Sequence, residues 1–216
     1  MRALIFDFDG LILDTEMPDY QAWEQVYQSY GVTLPLEKWG SIIGGNAESD
    51  FEPYGYLESR VGKPVDREQI WVTRRKSYLD TLESQPVLPG VMDYLNAAKQ
   101  KNLGLAIASS SPENCSRLEL RDYFDVVVTA DDVMHTKPSP ELFLLAAQQM
   151  KVDPAATIVL EDSPNGIKAA KRAHMFAVAV PNKVTRQLDL SEADLQLNSL
   201  AEMPLNDLLT RAEQAR

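Results

Sequence analysis

The chain is expected to be an α/β protein: a doubly wound parallel sheet with a helical cap domain inserted after the first strand. Three features of the 216-residue sequence predict this. Short apolar runs rich in β-branched residues recur at 3–6, 103–108, 126–129, 157–160 and 176–180. Segments of helical period lie between the later runs, and strands alternating with helices make parallel βαβ units. Residues 15–85 break that rhythm, with no buried strand and all three tryptophans, Trp23, Trp39 and Trp71.

The first run, Ala3 to Phe6, ends in Asp7-Phe8-Asp9-Gly10. Side chains alternate along a strand, so Asp7 and Asp9 project to one side if the strand persists through them. Two close carboxylates repel unless a counter-charge is present, and a divalent cation with oxygen ligands would supply it. The spacing Trp23-x-x-Val26-Tyr27-x-x-Tyr30 marks a helix in the next segment. The chain returns through Gln85-Pro86-Val87-Leu88-Pro89-Gly90, where the prolines stiffen the crossing. The expected division is therefore a core of residues 1–14 plus 86–216 and a cap of residues 15–85. Further helices are expected from Val91-x-x-Tyr94-Leu95, Leu142-Phe143-x-x-Ala146-Ala147 and Ile167-x-x-Ala170-x-x-Ala173. Ser111-Pro112, Ser139-Pro140 and Ser163-Pro164 each read as an N-cap serine followed by a first-turn proline. The tail beyond Leu188 is polar with scattered leucines, consistent with a strand remnant and a terminal helix.

Composition bounds the function. Apolar residues make up 44% and charged residues 25%, the balance of a globular protein. A net charge of −11 with no basic stripe excludes nucleic acid as a partner. An anionic substrate must then find local positive charge against an unfavourable overall field. Cys115 is the only cysteine, so no intrachain disulfide can form. No apolar stretch is long enough to span a bilayer, and the N-terminus lacks a signal-peptide pattern. A cytoplasmic monomer with no membrane partner is expected.

In a doubly wound sheet, ligands bind at the carboxyl ends of the strands. Asp7 and Asp9, Ser109-Ser110-Ser111, Lys137 and Glu161-Asp162-Ser163 all fall at such ends or in the loops just beyond. Each alone has an ordinary reading, as a solvated charge or a helix cap. Together they converge on one edge.

These residues resemble the motifs of the haloacid dehalogenase superfamily, in its phosphatase and phosphomutase branch. Phe6-Asp7-Phe8-Asp9-Gly10 with Asp14-Thr15-Glu16 resembles the first motif, and Ala108-Ser109-Ser110-Ser111 the second. Thr136-Lys137-Pro138-Ser139-Pro140-Glu141 is similar to the third, and Leu160-Glu161-Asp162-Ser163-Pro164-Asn165-Gly166 to the fourth. The resemblance implies a Rossmann-like core and gives each residue a role. Asp7 would be the nucleophile that forms an aspartyl-phosphate, and Asp9 the general acid and then base. Mg²⁺ would be held by Asp7, the backbone carbonyl of Asp9, and Asp162, with Glu161 nearby or ligating. Ser109 and the N–H of Ser110 would bind the phosphoryl oxygens, and Lys137 would neutralise nucleophile and phosphoryl group. A phosphoryl transition state needs positioning and positive charge more than covalent help, which fits a cation and one lysine in an acidic chain. Dehalogenation needs neither a second aspartate nor a metal, so Asp9 and the Glu161-Asp162 pair point to phosphoryl transfer.

The cap resembles that of β-phosphoglucomutases and their phosphatase relatives, with one departure. The mutases begin a cap motif with histidine, where this chain has Asp19 in Asp19-Tyr-Gln-Ala22-Trp23. The cap loop Gly44-Gly45-Asn46-Ala47-Glu48-Ser49-Asp50, whose Gly44 and Gly45 would meet the substrate, is acidic and lacks the mutases' arginine. The expected activity is Mg²⁺-dependent hydrolysis of a small phosphorylated metabolite, with a sugar phosphate as the leading class. A phosphomutase, or a catalytically idle binding protein on the same fold, is the alternative. Trp23 is expected in the cap core, Cys115 packed within its helix, and His135 and His174 structural or exposed.

Overall fold

In the computed structural model, which describes residues 1–40, 42, 51–115 and 120–215, the five apolar runs are strands of one parallel sheet. They are β1 (Ala3–Phe6), β2 (Gly104–Ser109), β3 (Val126–Thr129), β4 (Thr157–Glu161) and β5 (Phe176–Ala179). A two-residue β6 (Leu195–Gln196) and a terminal helix complete the tail as expected. The order is β3-β2-β1-β4-β5-β6, and every pairing is parallel. The order reverses direction between β1 and β4, so the chain's crossovers leave a crevice at the carboxyl ends of those two strands.

Strand alternation divides the core into two layers. Leu4, Phe6, Leu105, Ile107, Ile158 and Leu160 face one side. There they meet Tyr94 and Leu95 of α5 (Val91–Gln100) and Leu205 and Leu208 of α9 (Leu205–Gln214). Ile5, Ala106, Ala108 and Val159 face the other, against Leu142 and Phe143 of α7 (Glu141–Met150) and Ile167 of α8 (Pro164–Arg172). Full burial of each large side chain contributes roughly 1.5–3 kcal/mol. The sheet is apolar on both faces because helices cover both.

Between β1 and α5 the named regular elements among the described residues are all helices. These are α1 (Glu16–Ser29), α2 (Leu36–Gly40), α3 (Pro53–Val61) and α4 (Arg67–Leu82). Trp23, Tyr27, Trp39, Leu57 and Ile70 give them a core of their own, which Val184 from beyond β5 joins. Trp23 is buried there, edge-on to Tyr54, whereas Trp71 stands 54% exposed on α4. The outgoing and returning crossings pair with each other: Leu13 bridges Val87, and the Leu88 N–H donates to the Ile12 carbonyl at 2.9 Å.

The Ser-Pro pairs divide. Ser163 caps α8, its hydroxyl accepting from the Gly166 N–H, and Pro112 opens the short helix α6 (Pro112–Cys115) after Ser111. Ser139 caps nothing: α7 begins at Glu141 with Pro140 at its N-cap, and the Ser139 hydroxyl donates to Glu141 instead. His135 and His174 are exposed, His135 against Glu141. The expected packing of Cys115 and the contacts of Gly44, Gly45 and the loop to Asp50 lie outside the described residues and side chains. Among the described residues, no helix is long and apolar enough to cross a membrane.

Candidate active site

β1 and β4 deliver the acidic groups. The Asp7 N–H donates to the Leu160 carbonyl at 2.9 Å, so Asp7 is still held by the sheet one residue past β1. The strand then stops. Gly10 takes φ +73°, a conformation glycine adopts without steric cost, and Asp9 bridges Leu13 in the resulting turn. Asp7 and Asp9 thus part company, with different partners for their carboxylates. An added Cβ at Gly10 would stand 2.4 Å from both Asn182 and Asp162, so the turn is also packed tightly.

Lys137 arrives from the loop between β3 and α7. Its Nζ donates to Asp7 and, at 2.7 Å, to Glu161 Oε1, with all three side chains buried. Glu161 is fully used: its other oxygen accepts from the N–H of Ser163 at 2.7 Å and its hydroxyl at 3.0 Å. Asp162 is held by Asn182, whose Nδ2 donates to Oδ2 at 2.7 Å. Asp9 accepts from Ser109 Oγ at 3.2 Å and Asn114 Nδ2 at 2.6 Å.

The electrostatics are severe. Burial, reinforced by Glu161 and Asp9 against the pull of Lys137, pushes Asp7 up to about 8. Burial and then Glu161 and Asp7 raise Asp162 well above the ordinary carboxylate range. Burial works against the charge on Lys137, but Asp7 and Glu161 outweigh it and hold its pKa above the ordinary value. One lysine cannot balance three buried carboxylates. Oxygens of Asp7, Glu161 and Asp162 lie within 4.8 Å of one another, a donor set suited to a hard divalent cation. Since both Glu161 oxygens already have protein partners, Asp7 and Asp162 are the carboxylates best placed to ligate directly.

These groups line a cleft of about 290 Å³. The core side contributes Asp7, Asp9, Ser110, Asn114, Lys137 and Asp162, and the helical insert contributes Glu16, Asp19 and Tyr78. Ser109 is buried, with its hydroxyl on Asp9 and on the Ser111 N–H, while Ser110 is exposed in the cleft. Thr15 also lines the cleft, and its buried hydroxyl has no partner among the described residues. Burial first, then the charges of Asp9, Asp19, Asp7 and Asp14, pushes Glu16 up to about 8. Asp19 is ion-paired with Arg74, which in turn lies over the Trp23 ring at 5.1 Å.

Asn114, Asn182, Tyr78 and Arg74 escape a reading of the sequence. Asn114 could have been found from its place in the first turn of a helix that starts at a strand end. Asn182 follows β5 by three residues, again at the carboxyl edge. Tyr78 and Arg74 carry no such signal, because only the packing of α4 brings Tyr78 to the cleft and Arg74 to Asp19.

Comparison with known proteins agrees with this geometry. Residues 1–174 match the family model for haloacid dehalogenase-like hydrolases. The chain is 46% identical over 214 residues to "Putative phosphatase YhcW" of Bacillus subtilis (strain 168), covering 97% of this chain and 96% of that one. It is 34% identical over 190 residues to the fructose-1-phosphate phosphatase YqaB of Escherichia coli (strain K12), covering 82% and 95%. The crystal structure of a β-phosphoglucomutase from Clostridium difficile superposes with a TM-score of 0.74 at 25% identity, covering 100% of this chain and 98% of that one.

Proposed function

The chain belongs to the haloacid dehalogenase-like hydrolases, and from that premise we propose that it hydrolyses small phosphate monoesters, sugar phosphates foremost, through an aspartyl-phosphate on Asp7. The observation that carries the reading is the buried Lys137 joined to both Asp7 and Glu161 at the sheet's switch point, facing Asp9 across the cleft. The phosphatase names of its relatives support the same reaction.

In this reading a carboxylate oxygen of Asp7 attacks phosphorus. Lys137 keeps Asp7 oriented and offsets the charge that gathers on the phosphoryl oxygens. Asp9 protonates the leaving oxygen as the P–O bond breaks. It then takes a proton from the water that attacks the aspartyl-phosphate, which restores Asp7. Ser110 lines the cleft, where its N–H would bind phosphoryl oxygens, whereas Ser109 is fully buried and its hydroxyl serves Asp9. Asp7, Asp162 and the Asp9 carbonyl would hold Mg²⁺, with Glu161 supporting them from behind. The cation, when bound, supplies the positive charge that three carboxylates and one lysine leave wanting. Residues 15–85 would serve as the cap domain that closes over the core of 1–14 and 86–216, with Gly44 and Gly45 on its substrate loop.

Hydrolysis is favoured over phosphoryl relocation by Asp19. It stands in the cleft with its charge held by Arg74, and it offers a distal phosphate no donor. The test is incubation with β-glucose 1-phosphate and catalytic bisphosphate, together with a panel of sugar and polyol monophosphates. Inorganic phosphate should be released from monophosphates. Glucose 6-phosphate forming faster than free phosphate would overturn the hydrolase reading.

A further inference from the structure

A chain of hydrogen bonds crosses from the helical insert to Asp9. The Tyr78 hydroxyl on α4 donates to Asn114 Oδ1 at 3.2 Å, and Asn114 Nδ2 donates to Asp9 Oδ1 at 2.6 Å. Beside it, Arg75 of α4 pairs with Glu113, so the two helices are joined at adjacent residues on α6.

The polarity of the chain follows from what each group can do. An ionised carboxylate only accepts, an amide has one donating and one accepting end, and a phenol can do either. The amide end facing Asp9 must therefore be the NH₂, which leaves the carbonyl to accept from Tyr78. Turned over, Asn114 would set a carbonyl oxygen against a carboxylate. Tyr78 is 5% exposed, and its burial together with the field of Asp9 raises its hydroxyl's pKa, so it stays a donor.

We infer that Asn114 is a positioning residue for the acid–base carboxylate Asp9, and that Tyr78 fixes Asn114 in the orientation this requires; the inference rests on the phosphatase reading above. With Oδ1 tied to the amide, the proton that Asp9 delivers sits on Oδ2. There the Ser109 hydroxyl, now a donor at 3.2 Å, can turn to accept. In the first step a carboxylate oxygen of Asp7 bonds to phosphorus while the bond from phosphorus to the leaving oxygen breaks, its electron pair staying on that oxygen. The proton moves to it from Asp9 Oδ2, and Asp9 is left as the carboxylate. A side chain of the insert thus sets the direction in which an acid of the core points.

The test separates acid positioning from general structural damage by the leaving group. A sugar alkoxide needs the proton, whereas nitrophenolate leaves without it. Values of kcat/KM report only steps up to departure of the leaving group, so hydrolysis of the aspartyl-phosphate does not mask the effect. On fructose 1-phosphate, Asn114→Ala should lower kcat/KM by about 10- to 100-fold, a part of the full general-acid contribution. On 4-nitrophenyl phosphate the loss should be under about 3-fold, because the nucleophile and lysine are untouched. Tyr78→Phe deletes one oxygen and keeps the buried ring, so it carries the test even if Asn114→Ala does not fold, and it should show the same bias more weakly. The double variant should be no worse than Asn114→Ala, since Tyr78 acts through that residue. Equal losses on both esters would overturn the role of Asn114, and multiplying losses in the double variant would overturn that of Tyr78. A wild-type protein that leaves both esters intact would instead overturn the phosphatase reading, and the inference with it.

Discussion

Replacing Glu16 with glutamine should stabilise the metal-free protein at alkaline pH and change nothing in acid. Glu16 opens α1 and lines the cleft, with no cation bonded to it among the described residues. Burial and the surrounding Asp9, Asp19, Asp7 and Asp14 push it from 4.5 to about 8. The unfolded chain loses this proton near 4.5, whereas the folded protein keeps it until about 8. Between those values the folded state binds more protons, so stability is fully present below the lower value and is lost as pH rises to the upper one. The gap corresponds to roughly 5 kcal/mol if borne in full, and the side chain's access to cleft water reduces the working figure to roughly 2–3 kcal/mol. For a protein of this size that is a rise in Tm of about 5–10 °C for Glu16→Gln at pH 8.5. At pH 4 the two proteins should melt together. The assay is thermal unfolding by circular dichroism in EDTA, from pH 4 to 9. A gain equal at every pH would mean that glutamine improves packing or helix start and that the charge is not strained. A loss at pH 8.5 would refute the reasoning outright.

Three further outcomes are expected. Asp7→Asn should fold, checked by circular dichroism, and reduce phosphate release to background, because the amide lacks the attacking carboxylate oxygen; retention of a substantial rate in contaminant-free protein would exclude an aspartyl-phosphate on Asp7. Phosphate release should stop in excess EDTA and return with Mg²⁺ but not Ca²⁺, whose looser coordination misplaces the nucleophile; full activity in EDTA would exclude a metal role for the Asp7–Asp162 pair. Gly166→Ala places a Cβ 1.7 Å from Glu161 Oε1, so it should displace the partner of Lys137. Urea unfolding should show a loss of about 1–3 kcal/mol for that overpacking, with a parallel loss of turnover; an unperturbed stability would mean that the first turn of α8 shifts freely.

Much of the fold was legible because its signals are local. A run such as Ile158–Leu160 reads as a strand wherever it occurs, and a first strand followed by helical spacing reads as an insert. The strand ends then placed Asp7, Lys137, Glu161 and Asp162 on one edge, where the structure brings their carboxylates and ammonium together. Ser139-Pro140 misled because a Ser-Pro pair specifies a turn as readily as a cap, and there the turn back onto Thr136 prevails. β1 ends at Phe6, so strand alternation does not reach Asp9, yet the turn at Gly10 still leaves Asp7 and Asp9 lining one cleft.

The sequence by itself determined the sheet, the helical insert and the identity of the acidic and basic groups at the sheet edge, since each rests on periodicity or on a motif a few residues long. Tertiary structure alone decided which group answers which: that Lys137 bonds to Asp7 and Glu161, that Asn182 holds Asp162, and that Tyr78 reaches Asp9 through Asn114. These partners stand 20 to 130 positions apart along the chain, and hydrogen bonds form only within about 3 Å, so no local pattern could have announced them.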